Sequence, residues 1–81
     1  MPVVLRQDGF RFMIYYQDHA PPHTHVFKSG ETVLLLGSLD TKPSVRENRG
    51  MGRGDERKAV RIAAENQDYL LERWDEINGD A

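Results

Sequence analysis

Pro21 and Pro22 stand side by side within the segment Asp18-His19-Ala20-Pro21-Pro22-His23-Thr24-His25, the stretch that most restricts the backbone of this chain. The pair holds Ala20 and Pro21 in extended geometry and removes two amide donors, so the segment reads as a stiff turn. A stiff turn aims the side chains that flank it. Here those side chains include all three histidines of the chain, within seven positions and beside a carboxylate. Histidine has the ordinary pKa nearest neutrality and is the commonest metal ligand, so this is where chemistry is expected first.

Hydrophobic patterning around the turn predicts the scaffold. Residues 10–16 alternate as a strand, with Phe12, Ile14 and Tyr16 on one face and Arg11, Met13 and Tyr15 on the other. Asp8-Gly9 before it suits a tight turn after a short strand at 3–5. Residues 23–28 and 31–36 form a hairpin if Ser29-Gly30 is a two-residue turn, which places Lys28 opposite Glu31, Val26 opposite Val33 and His25 opposite Leu34. In that register Leu34 and Leu36 lie on the face of His23, His25 and Phe27, with Val33 and Leu35 on the other. Residues 37–54 form an irregular connection with four glycines and a short strand at 44–46. A long connection in so small a domain is more often functional or mobile than idle.

Asp55 is a good N-cap after Gly54, and one helix is expected over 56–78 with Gly79 as its stop. Its apolar stripe is Val60, Ala63, Ala64, Leu70, Leu71, Trp74 and Ile77, interrupted by Gln67. Ile62 and Tyr69, seven apart and off that stripe, form a candidate contact ridge for a partner. The expected fold is α+β: a small antiparallel sheet of three to four strands (residues 1–46) packed on one long C-terminal helix. With 81 residues it is a single domain, 1–81.

Size and composition bound the function. A chain this short buries only about 60–65% of its unfolded surface, so its stability margin is thin. There is no cysteine, so any metal must be held by nitrogen and oxygen. The longest apolar run, Val33-Leu34-Leu35-Leu36, is far too short to span a bilayer. The opening residues lack the charged start and apolar run of a signal peptide, and the expectation is a soluble cytoplasmic protein with no membrane role.

A net charge of −2 conceals a segregation. Residues 42–61 carry seven basic side chains against three acidic, whereas residues 62–81 carry one against six. Such asymmetry steers an anionic partner to one end. Arg57, Lys58 and Arg61 near the helix start, and Asp75 and Glu76 near its end, oppose the helix dipole. Arg57 and Arg61 are also a like-charged i,i+4 pair.

The chain resembles, over nearly its full length, the small bacterial family known as domain of unknown function 4160. The resemblance is carried by Pro2-Val3-Val4-Leu5, Gly9-Phe10-Arg11-Phe12, Tyr16, the block Asp18-His19-Ala20-Pro21-Pro22-His23-Thr24-His25-Val26, and the closing Glu65-Asn66-Gln67, Leu70-Leu71 and Trp74-Asp75-Glu76. It implies a small α+β domain, often encoded beside another small protein in an arrangement like a toxin–antitoxin pair. It implies no activity.

The histidines then have three uses. They can be structural, with His19 bonding a loop carbonyl and His23 and His25 paired on a half-buried strand. They can bind a divalent metal, His-x-His presenting two imidazoles to one side of a strand while Asp18 or His19 completes the set. Otherwise no cofactor is expected. Finally, His23 and His25, with His19 a further candidate, can act as base and acid on RNA, Arg49 or Arg53 contacting phosphate. The leading reading, motivated by the gene arrangement that the resemblance implies together with the charge segregation and the off-stripe Ile62 and Tyr69, is a partner-binding member of a two-protein module. Its partner is a small protein encoded nearby or a second copy, met through Arg49, Arg53, Arg57, Arg61 and the Ile62–Tyr69 ridge. A histidine-dependent ribonuclease toxin is the enzymatic alternative.

Overall fold

A computed structural model describes residues 3–38 and 40–79; Pro2 of the family-like opening lies outside them. Five strands, β1 (Val3–Gln7), β2 (Phe10–Met13), β3 (His23–Phe27), β4 (Glu31–Leu35) and β5 (Ser44–Arg49), form one antiparallel sheet in chain order. Two helices follow, α1 (Arg53–Glu65) and α2 (Gln67–Asn78). The α+β class is as expected, but the sheet has one or two more strands than predicted and the helix is divided.

Both differences have local causes. β5 reads Ser-Val-Arg-Glu-Asn-Arg and every one of its residues is exposed, so apolar alternation does not extend it past the short strand expected at 44–46. It forms by satisfying the outer edge of β4, pairing from Ser44 with Leu35 to Asn48 with Thr32. The helix divides at Asn66, whose φ of −117° and ψ of 20° leave the helical region. Its side-chain amide donates to the Ile62 carbonyl at 2.8 Å, closing α1, while its own carbonyl accepts from Leu70 N–H and opens α2. Gln67, read as an interruption of the stripe, shares its amide hydrogens among the carbonyls of Leu36, Ser38 and Thr41 at 2.6, 2.9 and 2.6 Å. It ties the β4–β5 connection to the helices.

Helix α1 starts earlier than the Asp55 cap predicts, with Gly52 at the N-cap position. Asn48 explains the shift. Its side chain accepts from Met51 N–H at 2.8 Å and donates to the Met51 carbonyl and to Glu56, turning the chain directly from β5 into the helix. Asp55 sits instead in the first turn beside Glu56, where negative charge suits the helix dipole, and lies 3.7 Å from Lys28.

The Asp8-Gly9 turn is present, with Gln7 opposite Phe10 and positive φ at both turn residues. β2, however, ends at Met13 rather than running to Tyr16, which is 68% exposed. The second hairpin is displaced by one residue from its expected register. Phe27, not Lys28, faces Glu31, and His25 faces Val33 rather than Leu34. Three residues therefore make the turn. Gly30 lies so close to the 50–51 backbone that an added Cβ would sit 2.5 Å from the Gly50 carbonyl oxygen.

A slip of one residue exchanges the faces of a strand. Leu34 and Leu36 belong to the core with Phe10, Phe12, Ile14 and Val26, while Val33 and Leu35 share the histidine face. The helices complete this core with Ala59, Ile62, Ala63, Leu70 and Trp74. Two assignments on α1 are corrected accordingly. Ala64 is exposed, and Ile62, placed in a surface ridge with Tyr69, is 1% exposed. Asn66 rotates the stripe at mid-helix, so a single 3.6-residue repeat cannot describe both halves.

The crowding at Gly30 gives a sharp test. Gly30→Ala meets backbone at 2.5 Å with φ at +145°, and should cost about 1–3 kcal/mol. Gly54→Ala, within α1 and with open space around its Cβ, should stabilise by roughly 0.5–1 kcal/mol. Denaturant midpoints moving in opposite directions are the expected result.

Candidate metal centre

The face of the sheet away from the main core carries the histidines. β3 presents His23 and His25 two positions apart, and the 14–22 loop brings Asp18 over them. Asp18 is placed by the far end of the chain: its N–H donates to Asn78 Oδ1 at 3.2 Å, and Asn78 Nδ2 donates to the Tyr15 carbonyl at 2.7 Å. One side-chain amide at the end of α2 thus pins the loop. The Ala20–Pro21 peptide is cis.

Each imidazole is oriented through its other nitrogen. His23 Nδ1 lies 2.9 Å from the Pro21 carbonyl oxygen, which only accepts, so Nδ1 carries the hydrogen. His25 Nδ1 lies 2.9 Å from Glu31 Oε2, and a carboxylate likewise makes it the donor. In the neutral rings this leaves both Nε2 atoms as bare lone pairs. The rings are packed as well as bonded, His23 against Trp74 at 5.1 Å between centroids and His25 edge-on to Tyr15 at 4.7 Å.

Both Nε2 atoms lie beside one carboxylate. Asp18 Oδ2 lies 3.2 Å from His23 Nε2 and 3.8 Å from His25 Nε2. That oxygen is buried and makes no hydrogen bond. One donor atom from each of Asp18, His23 and His25 falls within 4.8 Å of the others. Ligand atoms on a shared ion with bonds of about 2.0–2.1 Å stand roughly 2.9–3.4 Å apart, so the three donor atoms draw closer on sharing one ion.

The cluster forms one end of an open cleft of about 280 Å³. His19, Ala20, Val33, Arg46, Glu47 and Arg49 complete its lining. Arg49 Nε and Nη2 contact the two oxygens of Glu47 at 2.7 and 3.1 Å, and Nη1 reaches Glu31 at 3.5 Å. Those hydrogen bonds hold the Glu47 carboxyl below its ordinary range.

The predicted site residues therefore separate. Asp18, His23 and His25 converge. His19 is exposed and outside the ligand set, and it is His23 that bonds a loop carbonyl, that of Pro21. Of the four arginines proposed for phosphate or a partner, only Arg49 lines the cleft. Arg53, Arg57 and Arg61 are exposed at four-residue spacing on α1, outside it. Tyr69 is 42% exposed, its hydroxyl donating to the Val4 carbonyl at 2.7 Å.

Glu31, Asn78 and Arg46 escape the sequence reading. Glu31 is the instructive one. With Phe27 opposite it, Glu31 is a diagonal neighbour of His25 on the same face, within reach of a long side chain. The expected register put it on the other face. A carboxylate close after a His-x-His strand, allowing for a three-residue turn, is the signal that would have found it.

Fold and site together define a small α+β domain with a two-histidine, one-carboxylate cluster at the end of a polar cleft. The chain belongs to the family described as Domain of unknown function (DUF4160), whose model matches residues 9–75. No curated protein and no solved structure matches it. Among the described residues, no helix is long and apolar enough to cross a membrane.

Proposed function

We propose that this domain binds one divalent transition-metal ion through Asp18, His23 and His25. One observation carries the reading: two imidazole lone pairs and a buried carboxylate oxygen without a hydrogen bond point at one another. With both Nε2 atoms unprotonated, three electron-rich atoms repel unless a cation lies among them. The outer contacts support it too, because metal-bound histidines almost always donate their second N–H to a carboxylate or a carbonyl, as Glu31 and Pro21 allow here. Three protein ligands leave coordination positions open toward the cleft, the arrangement of catalytic rather than closed structural sites. Calorimetric titration with zinc, nickel or manganese tests it: one equivalent per chain is expected, and no heat at stoichiometric levels ends the reading.

The outer contact gives a graded prediction. Glu31→Gln keeps an acceptor for His25 Nδ1 but removes the charge that makes the imidazole a stronger ligand. Metal affinity should fall about 10–100-fold, with the stoichiometry unchanged.

The exposed ridge of Arg53, Arg57 and Arg61 supports a second reading, in which an acidic small protein docks on α1. Co-expression with the neighbouring gene's product tests this, with loss of capture in the Arg57→Glu, Arg61→Glu double variant expected. The ribonuclease reading has less support, since Arg53 lies outside the cleft and Glu47 already binds Arg49. RNA cleavage that vanishes in a folded His23→Ala, His25→Ala variant would revive it.

A further inference from the structure

We propose that the metal centre takes an oxyanion as its exogenous ligand, a phosphate group bridging the open metal positions and the guanidinium of Arg46. This rests on the metal reading above and adds the class of ligand.

Arg46 is aimed into the cleft by a break in the sheet. Along β5, Glu47 pairs with Val33 but the next pair is Val45 with Leu34, so Arg46 is an extra residue at a bulge. Strict alternation would turn Arg46 to the face opposite Glu47. A bulge re-aims a side chain, and here Arg46, Glu47 and Arg49 all line the same cleft. The two arginines differ in what they already hold. Arg49 is engaged with Glu47 and Glu31, whereas Arg46 has no ion pair and no side-chain hydrogen bond among the described residues. A guanidinium left free beside a candidate metal centre offers paired donors in the geometry that phosphate accepts.

Charge makes the two binding events interdependent. With neutral imidazoles, the charged side chains lining the cleft cancel, and Glu31 behind His25 leaves the region negative by one. A divalent cation reverses that to positive by one. The cleft is thus poorly suited to an anion before the metal enters and suited to one afterwards, and by linkage the anion must tighten the metal in turn. At about 280 Å³ the space holds a phosphate head group with a small substituent. It lies just under the range of about 300–1,000 Å³ typical of sites that enclose larger ligands.

The test uses the whole chain and two titrations. Cobalt is added first, and its uptake is read from the visible absorption of the bound ion. Inorganic phosphate is then titrated into the loaded and metal-free protein, with acetate as the comparison anion. Phosphate should bind the loaded protein at least tenfold tighter than the metal-free protein, change the cobalt absorption, and outcompete acetate. Arg46→Gln should weaken phosphate tenfold or more while leaving cobalt affinity within about threefold. If cobalt loads at one per chain but phosphate binds equally with and without it, or equally to Arg46→Gln, the oxyanion proposal is overturned and the metal reading stands. Acetate binding as tightly as phosphate overturns the assignment of ligand class. If cobalt does not load, both proposals fall.

Discussion

Saturating zinc should raise the thermal midpoint of this protein by roughly 10–20 °C, and Asp18→Asn should abolish the rise. A ligand that binds only the folded state at a hundred times its Kd stabilises by about 2.7 kcal/mol. In a domain of 60–100 residues each kcal/mol moves the midpoint by about 4–8 °C. Asn keeps the shape of Asp18 and its backbone bond to Asn78 but is a far weaker ligand, so the shift disappears while the fold remains. The metal-free variant carries the more discriminating prediction. In the wild type at mildly alkaline pH, Asp18 Oδ2 confronts two imidazole lone pairs without a hydrogen bond. An amide there donates to His23 Nε2 and relieves the conflict, so metal-free Asp18→Asn should be at least as stable as metal-free wild type. A site built for binding at the expense of stability behaves this way. If the substitution destabilises the metal-free protein at that pH and zinc still shifts it, Asp18 is a structural ion-pair partner and not a ligand. The single tryptophan supplies a local signal, because Trp74 lies 5.1 Å from His23 and its emission should change on metal binding. His25→Ala should lose both responses.

How much of this site could be read from residues alone follows from which contacts are local. The diproline turn, the Asp8-Gly9 turn and the His-x-His strand are encoded within a few positions, and each is found where expected. Asp18 was legible as a member of the cluster because it stands only five residues before His23. The remainder depends on pairing at a distance. Glu31 reaches His25 only because the hairpin turn has three residues, which places Phe27 and not Lys28 opposite Glu31. Arg46 reaches the cleft only through a bulge, and Asn78 reaches Asp18 from sixty positions away. β5, polar but for Val45, is legible only at 44–46, and its remaining residues join the strand by pairing with β4. One residue of register separates Leu34 and Leu36, which lie in the core, from the face that His23 and His25 share with Val33 and Leu35.

Ile62 carries the largest expected change in stability. Read on a single continuous helix it falls beside the apolar stripe, on a ridge with Tyr69, and truncating it there would alter stability by less than about 0.5 kcal/mol. In the structure it is 1% exposed and packs in one cluster with Phe10, Phe12, Leu34, Leu70 and Trp74. Ile62→Ala removes its outer carbons and leaves a cavity that a core already tied by Asn66 and Gln67 cannot readily collapse, so the cost should be about 2–5 kcal/mol. For a domain this small that is a large share of the whole, given a typical stability of about 0.05–0.15 kcal/mol per residue. Tyr69→Phe supplies the contrast. It keeps the ring and removes only the hydroxyl that donates to the Val4 carbonyl at 2.7 Å, a loss of roughly 0.5–1.5 kcal/mol. Urea denaturation of the two variants should therefore separate them by at least about 0.5 kcal/mol, with Ile62→Ala near the limit of folding unless zinc is present. Rescue of that variant by zinc would show that metal binding and core packing stabilise the same cooperative unit, since His23 rests against Trp74, and Trp74 belongs to the cluster that Ile62 fills.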